Sequence, residues 1–491
     1  MADLFANPNR KTARPHQVKA LEMLRQSIGR GKRRVVLAAP TGAGKTYIAS
    51  QIVAGARAKG KTVCFTVPLV TLINQTIAAF EAEGIYDIGV IQANHPRTDP
   101  KQPVQIASFQ SMAKRGWPQT DIVIVDECHV NYALMIDWMR SNHNRVWIGL
   151  SATPWARGMG DIWDELLIPV TIQELIDSGH LSPFRVYAPS HPDLSGVKVE
   201  RGDYNEGQLA EVMGNSVLIA DVVDTWLKRA RGLPTIVFAV NLAHAEQIQQ
   251  AFADKGVKFG YCHAKIDVAE RQHMVNQMQR GEIAGIVNVG TLTTGFDSDV
   301  RCVVLARPTR SEILFVQMIG RGLRTAPGKD HCLILDHSDN HARLGFVTSI
   351  NHGKLLSGKE KAPKPRENEK PEQTPRECPS CGAVKARGPC PACGFEPKRQ
   401  SEIEFEEGEL VEIAPKPKKP AMPDKQKFWS MALAVDQMRH KDGKLAKALY
   451  RSKFGVWPRG LHDHPIQPDP EFFSYERSRR IAYAKGKGKA R

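Results

Sequence analysis

Residues 33–46 read RRVVLAAPTGAGKT, an apolar run, a glycine-containing loop and then the opening of a helix. The run is apolar on both faces, as in a strand buried in a parallel sheet. Gly42 and Gly44 let the loop backbone curl around a phosphate without a Cβ clash, while the helix N-terminus points its amides at the same place. Lys45 is set to neutralise phosphate oxygens and Thr46 to ligate Mg²⁺, with Thr41 completing the loop. Ala39 stands where the general pattern GxxxxGK[ST] has glycine. A chance glycine turn is the competing explanation, and the flanking strand and helix argue against it.

Two further strings complete a phosphate machine. DIVIVDECH at 121–129 ends an apolar run on two acids. Asp126 is expected to hold Mg²⁺ and Glu127 to orient and deprotonate the attacking water. QMIGRGLR at 317–324 carries Arg321 and Arg324, three apart, which predicts one face of one helix. Arginines delivered from another domain stabilise the charge of phosphoryl transfer. A solvated basic face is the ordinary reading of such a pair. It loses here because the second half of the chain has no P-loop of its own, and an ATPase driven by domain closure needs these three strings in this order.

The organisation around them is α/β. RRVVLAAP, KTVCFTVP, VQIAS, DIVIVDE and RVWIGLSAT form one series of buried runs; PTIVFAV, VKFGYCH, GIVNVG, RCVVLARP and HCLILD form another. Two series predict two tandem α/β domains with mostly parallel sheets, over residues 1–185 and 186–350. Ligands of such sheets bind at the carboxyl ends of strands, where the three strings fall. Residues 351–376, rich in Lys, Glu and Pro, are expected to be a linker. A four-cysteine module is expected at 377–397, an acidic and then Pro/Lys-rich linker at 398–424, and a small basic helical segment at 425–491. In that segment Phe428, Trp429, Leu433, Met438, Leu445, Leu449 and Tyr450 suggest two short helices joined at Asp442-Gly443.

Lys and Arg number 68 against 52 Asp and Glu, a surplus of 16 that favours a polyanionic partner, nucleic acid before membrane. The N-terminus, MADLFANPNRKTARPHQ, has no apolar core of a signal peptide, and no run approaches the length of a membrane span. Five of the nine cysteines are scattered along apolar runs, a usage expected of reduced, cytoplasmic thiols. The other four, Cys378, Cys381, Cys390 and Cys393, read CxxC-x8-CxxC, with Pro inside and Gly after each pair. Four thiolates so spaced predict a closed, structural Zn²⁺ site in a small clip. Two redox pairs are the alternative, disfavoured because neither lies in a βαβ pattern. Lys385 and Arg387 at its expected tip suit contact with a duplex or junction, and protein docking suits it nearly as well. Further on, Tyr450, Phe454 and Trp457 interleave with cations, a pattern that fits base stacking but fits the core of a small helical domain better.

These strings, with others between them, resemble superfamily 2 helicases of the DExH type, of the bacterial and phage kind related to restriction-enzyme helicase subunits. The resemblance spans about residues 13–345. It implies two RecA-like domains, ATP and Mg²⁺ as cofactors, and a bacterial or phage-infected cytoplasm. RPHQ at 14–17 matches an adenine-reading element, implying Gln17 as the adenine contact. APTGAGKT is the superfamily form of the P-loop, which accounts for Ala39. VPLVTLINQ and IASFQSM match strand-contacting motifs, implying nucleic-acid contacts at Pro68 and Ser108. SAT at 151–153 implies that Ser151 and Thr153 couple nucleotide state to domain movement, joined by His129. VGTLTTGFDSDV implies Gly295 and Asp297 near the nucleotide and Thr291 and Thr293 near the nucleic-acid backbone. QMIGRGLR adds Gln317 to the catalytic set. The implied activity is an ATP-dependent helicase or translocase, on DNA before RNA. A duplex translocase without strand separation shares every motif, while a binding scaffold with a vestigial ATPase is opposed by the intact Lys45, Asp126, Glu127, Arg321 and Arg324. A protein partner at the zinc module or C-terminal segment stays open.

Overall fold

The five apolar runs of the first series pair into one sheet because they are apolar on both faces, and two edge strands that the series did not include complete it. Its strands are β1 (Arg34–Ala38), β2 (Val63–Val67), β3 (Ile88–Ile91), β4 (Val104–Ser108), β5 (Ile122–Asp126), β6 (Val146–Ser151) and β7 (Glu165–Leu167). Their order is β3-β4-β2-β5-β6-β1-β7, with every pairing parallel. Alternate residues serve opposite faces. Val35, Leu37, Phe65 and Ile124 pack into one core, and Val36, Cys64, Val123 and Trp147 into the other. The functional consequence lies in the order: β5, β6 and β1 are neighbours, so DECH, SAT and the P-loop leave the sheet side by side.

The second sheet runs β12-β13-β11-β14-β15-β8-β17-β16. Its strands are β8 (Phe184–Tyr187), β11 (Thr235–Phe238), β12 (Phe259–Cys262), β13 (Gly285–Asn288), β14 (Cys302–Leu305), β15 (Cys332–Asp336), β16 (Arg376–Glu377) and β17 (Ala383–Lys385). A separate hairpin, β9 (Val199–Glu200) with β10 (Asp203–Tyr204), stands between β8 and β11. The boundary expected at residue 185 falls inside β8, which pairs in parallel with β15 and so belongs to the second sheet.

The structure, a computed structural model, describes residues 12–130, 133–188, 191–200, 202–291, 298–358, 376–378, 380–385, 389–395, 422–454 and 456–487. The chain divides into two compact units, Met1–Lys398 and Arg399–Arg491. Among the described residues no helix is long and apolar enough to cross a membrane. The expected acidic linker lies outside the described residues except for its last three positions, where a helix begins.

Three expectations are corrected. Residues 352–358 are not linker: Gly158 and Gly160 donate backbone hydrogen bonds to the Leu356 carbonyl, and His352 packs its ring on Trp155 at 5.1 Å. The cysteine module is not a free clip, because β17 adds antiparallel to β8 and extends the second sheet. Lys385, expected at an exposed tip, lies on β17 and is buried; Arg387 lies outside the described residues.

Among its described residues the C-terminal unit has three helices, one more than the sequence suggested: Met422–Met438, Lys444–Phe454 and Pro470–Lys487. Phe428, Trp429, Val435, Leu449, Tyr450 and Phe472 form its core. The last helix hides in the sequence because arginines mask the spacing of Phe472 and Tyr475. Buried Asp436 accepts from the amides of Gly443 and Ala446, fixing the turn between the first two helices.

The end of β15 carries the most demanding polar group of the fold. Asp336 is fully buried and accepts hydrogen bonds from Ser338, from the Asn340 amide and from both the amide and the ring of His341. Asn340 in turn receives the Thr309 amide, ahead of the helix that leads to Arg321. Burial works against the Asp336 charge, yet these donors hold its pKa down to about 2. A carboxylate with a depressed folded pKa adds stability above its unfolded pKa and loses it as pH falls through the folded value. Asp336→Ala should therefore cost about 3–5 kcal/mol at neutral pH, read as a shift in urea midpoint. The difference between the two proteins should shrink as pH falls from about 4 towards 2.

Candidate active site and metal centre

The strand order of the first sheet gathers the acids and the P-loop at one cavity of about 770 Å³, and the second sheet closes it with Gln317, Arg321 and Arg324. The helix Lys45–Arg57 starts on Gly44, held at φ +83 with no side-chain cap and no acid in its first turn. Its first amides are therefore left for an anion. A Cβ on Gly44 would also come within 2.4 Å of the Gln17 amide. Gln17 itself is buried, donating to the Ala43 carbonyl and accepting from the Arg14 amide. It lines the cavity, with its amide committed to shaping the P-loop.

Lys45 Nζ lies 2.5 Å from Glu127. Burial opposes the ammonium charge, but Glu127 and Asp126 outweigh it and raise the Lys45 pKa. Glu127 answers in the other direction: burial is overcome by Lys45 and then His129, and its pKa is lowered. Asp126 is pushed up to about 6, chiefly by burial. Glu127 adopts φ +48, a left-handed conformation that costs a non-glycine residue free energy and clusters at functional sites. That turn at the end of β5 is what swings its carboxylate to Lys45.

A hydrogen-bonded line then crosses between the sheets. Gln317 Nε2 donates to His129 Nε2 at 3.4 Å, leaving His129 Nδ1 to donate to Ser151 Oγ at 2.9 Å. Ser151 Oγ also receives the Thr153 amide at 3.0 Å. Burial lowers the His129 pKa, in keeping with the neutral ring this pattern requires. Arg321 is buried and Arg324 half-buried at the cavity wall; the Arg321 charge bears on both Lys45 and Glu127. The two arginines do not share a helix as expected. The helix Glu312–Gly320 stops before them, because Gly322 packs against Cys332 and Val303, where a Cβ would lie 2.3 Å from the Cys332 sulfur.

Residues 10–156 match the profile of the type III restriction enzyme res subunit, and residues 218–326 that of the helicase conserved C-terminal domain. The chain belongs to the superfamily 2 helicases. ATP hydrolysis with Mg²⁺ is the chemistry of this family. A 51.5 kDa protein of a Lactococcus phage is 26% identical to the helicase over 84% of this chain and 91% of its own length. The putative ATP-dependent helicase IRC3 of Saccharomyces cerevisiae is 27% identical over 66% of this chain, which spans 51% of that protein. A fragment of a putative HsdR subunit of a Vibrio vulnificus type I restriction enzyme shares the fold, with a TM-score of 0.52 and 22% identity over 69% of this chain and 66% of its own.

The described residues expected to touch nucleic acid have different settings. Pro68 lines the nucleotide cavity of the helicase. Ser108 is fully buried, and its hydroxyl accepts from the Ser111 amide as the cap of the helix Phe109–Arg115; it is therefore not available to a strand. Thr291 donates to the Val289 carbonyl. Thr293, Gly295 and Asp297 lie outside the described residues. Thr41 and Thr46 line the cavity as expected, as does Gly42. Thr153 is buried with no hydrogen-bond partner for its hydroxyl among the described residues.

Sequence reading missed the residues that close the cavity from behind. Leu181 covers Gly42, where a Cβ would meet its Cδ2 at 2.5 Å, and His180 stacks edge-on against His16 at 5.2 Å. The string SGHLSP holds no motif that could have announced this.

Cys378, Cys381, Cys390 and Cys393 bring their four sulfurs within 4.8 Å of one another. Two equivalent turns place them: Gly382 donates to the Cys378 carbonyl and Gly394 to the Cys390 carbonyl, both glycines at positive φ. Desolvation opposes a Cys378 thiolate, but the amides of Cys381 and Ser380 win and lower its pKa to about 7. Cys381 is pushed the other way, up to about 12, by desolvation; the convergence of the four thiols is what fits a tetrahedral thiolate-bound ion.

The two sheets approach tightly at Gly320, where a Cβ would sit 2.9 Å from Thr41 Oγ1. Gly320→Ala should wedge the second sheet away from the P-loop. Overpacking costs about 1–3 kcal/mol, so kcat for ATP should fall about 5- to 150-fold while ATP binding is kept. Parallel turnover and nucleotide-binding titrations would check this.

Proposed function

We propose that this chain is an ATP- and Mg²⁺-dependent motor that steps along nucleic acid, DNA before RNA, by closing and reopening its two sheets around the nucleotide. Lys45 holds the β- and γ-phosphates, with Thr41, Gly42 and Gly44 shaping the loop. Thr46 and Asp126 hold Mg²⁺. Glu127 is the base for the attacking water, and Arg321 and Arg324 stabilise the transferring phosphoryl group. Gln17 serves the adenine end. The observation that carries this reading is the line Gln317–His129–Ser151–Thr153, which ties the second sheet to the catalytic acid's neighbour. Such a line gives hydrolysis a route to domain movement.

DNA is favoured by the restriction-subunit match, and a nucleic-acid partner of either kind by the positive surplus of 16 charges. Duplex translocation without strand separation is the second reading, supported by the same match. Zn²⁺ in the four-cysteine site is proposed as structural, fixing β17 on the edge of the second sheet.

Steady-state ATPase should be stimulated by one class among single-stranded DNA, duplex DNA, forked DNA and RNA, and Lys45→Ala should abolish that stimulation. A rate that is flat across all four would count against the motor. Glu127→Gln should bind ATP and nucleic acid yet turn over at least about 100-fold more slowly. Normal turnover in that variant would remove Glu127 as the base.

Chelation should release about one Zn²⁺ per chain and unfold the segment around Cys378–Cys393 while most ATPase survives. Zinc release measured by a colorimetric indicator, alongside turnover, tests this. Loss of ATPase in step with zinc would make the module part of the motor.

A further inference from the structure

The C-terminal unit sorts its charges in a way that its own stability does not require. Four of its described carboxylates are committed to internal bonds. Asp436 holds a turn, Glu476 is buried against Arg439, Asp463 accepts from the Trp429 indole, and Asp469 caps the last helix. Cations on the helix Lys444–Phe454 have no such ties. Lys444, Lys447 and Arg451 are exposed, and among the described residues no carboxylate pairs with them. Their i, i+3, i+7 spacing puts them on one stripe, neighbours about 5–6 Å apart.

At the end of that stripe stands Trp457, 49% exposed. The Arg451 guanidinium lies over its ring, 4.6 Å from the centroid. Phe454 turns the other way, into the core against Phe428. Of the two aromatics that follow Tyr450 in the sequence, one is core and the other is left on the cationic face. A large aromatic kept at the surface beside cations is the combination that grips an unpaired strand: phosphates on the charges, a base on the ring.

We propose that Lys444, Lys447, Arg451 and Trp457 form a binding site for single-stranded nucleic acid on the C-terminal unit, additional to the motor's own track. The stripe spans about 10 Å of helix. Base stacking on Trp457 needs a nucleotide outside a duplex, so the ligand is an unpaired strand and not a double helix. The proposal goes beyond the motor reading and rests on it only for the class of ligand.

The test uses the full chain and a labelled oligothymidine of about 30 nucleotides, with affinity measured across a salt series. Lys447→Ala with Arg451→Ala should weaken binding and lower the slope of log K against log salt by about 1.4, as expected for two lost contacts to a single strand. Trp457→Ala should weaken binding roughly tenfold with little change of slope, and Trp457→Phe should recover most of it. ATPase without nucleic acid should be unchanged in every variant. Wild-type affinity and slope in the alanine variants would overturn the proposal and leave the face to a protein partner. An equal loss on a duplex of the same length would overturn the single-strand assignment. Binding losses in a chain whose ATPase ignores every nucleic acid would sink the motor reading and leave this site standing.

Discussion

The ion pair between Lys45 and Glu127 is the constraint around which the motor is arranged. It joins the first residue of the P-loop helix to the end of β5, both side chains half-buried at the cavity wall. Removing either would take from the other its nearest counter-charge. Asp126 and Arg321 extend the cluster, so that Lys45, Arg321 and Arg324 face two carboxylates, one of them driven towards its neutral form by burial. The cavity is thus short of negative charge, and a triphosphate supplies it. Phosphate oxygens reaching Lys45 would compete with Glu127 for the ammonium, freeing the carboxylate as the nucleotide seats.

What the sequence made legible is what local pattern encodes. Both sheets were readable because their strands are apolar on both faces. The P-loop and DECH follow such strands directly, and the cysteine cluster announces itself by spacing. Asp126, Glu127, Lys45 and Thr46 could be assigned to one place because strand ends in parallel sheets converge. The pairing that turns their linear order into a shared cavity, β5 beside β6 beside β1, is tertiary and left no local trace.

The failures have the same origin. Ser108 sits in a string that matches a strand-contacting motif, but the backbone leaving β4 needed a cap and took its hydroxyl. Arg321 and Arg324 keep helical spacing in the sequence, yet Gly322 must press against Cys332, so the helix ends early. Residues 352–358 look like linker by composition, but the Leu356 carbonyl meets the amides of Gly158 and Gly160, the His352 ring meets Trp155, and the Gly358 amide donates to Asp161. Each case sets a weak local preference against a close contact between distant segments, and the contact wins.

The addition of β17 to β8 has a consequence for solubility. Where β8 ends the row of parallel strands, its outer rim of amides and carbonyls would be a template for any extended chain, including another copy of the same protein. The cysteine module covers that rim with a strand running the opposite way, held by turns too short to be stable without a metal. With Zn²⁺ as the proposed ion, its availability would decide whether the sheet has an open margin, and a cell short of zinc would meet this protein first as an aggregation problem.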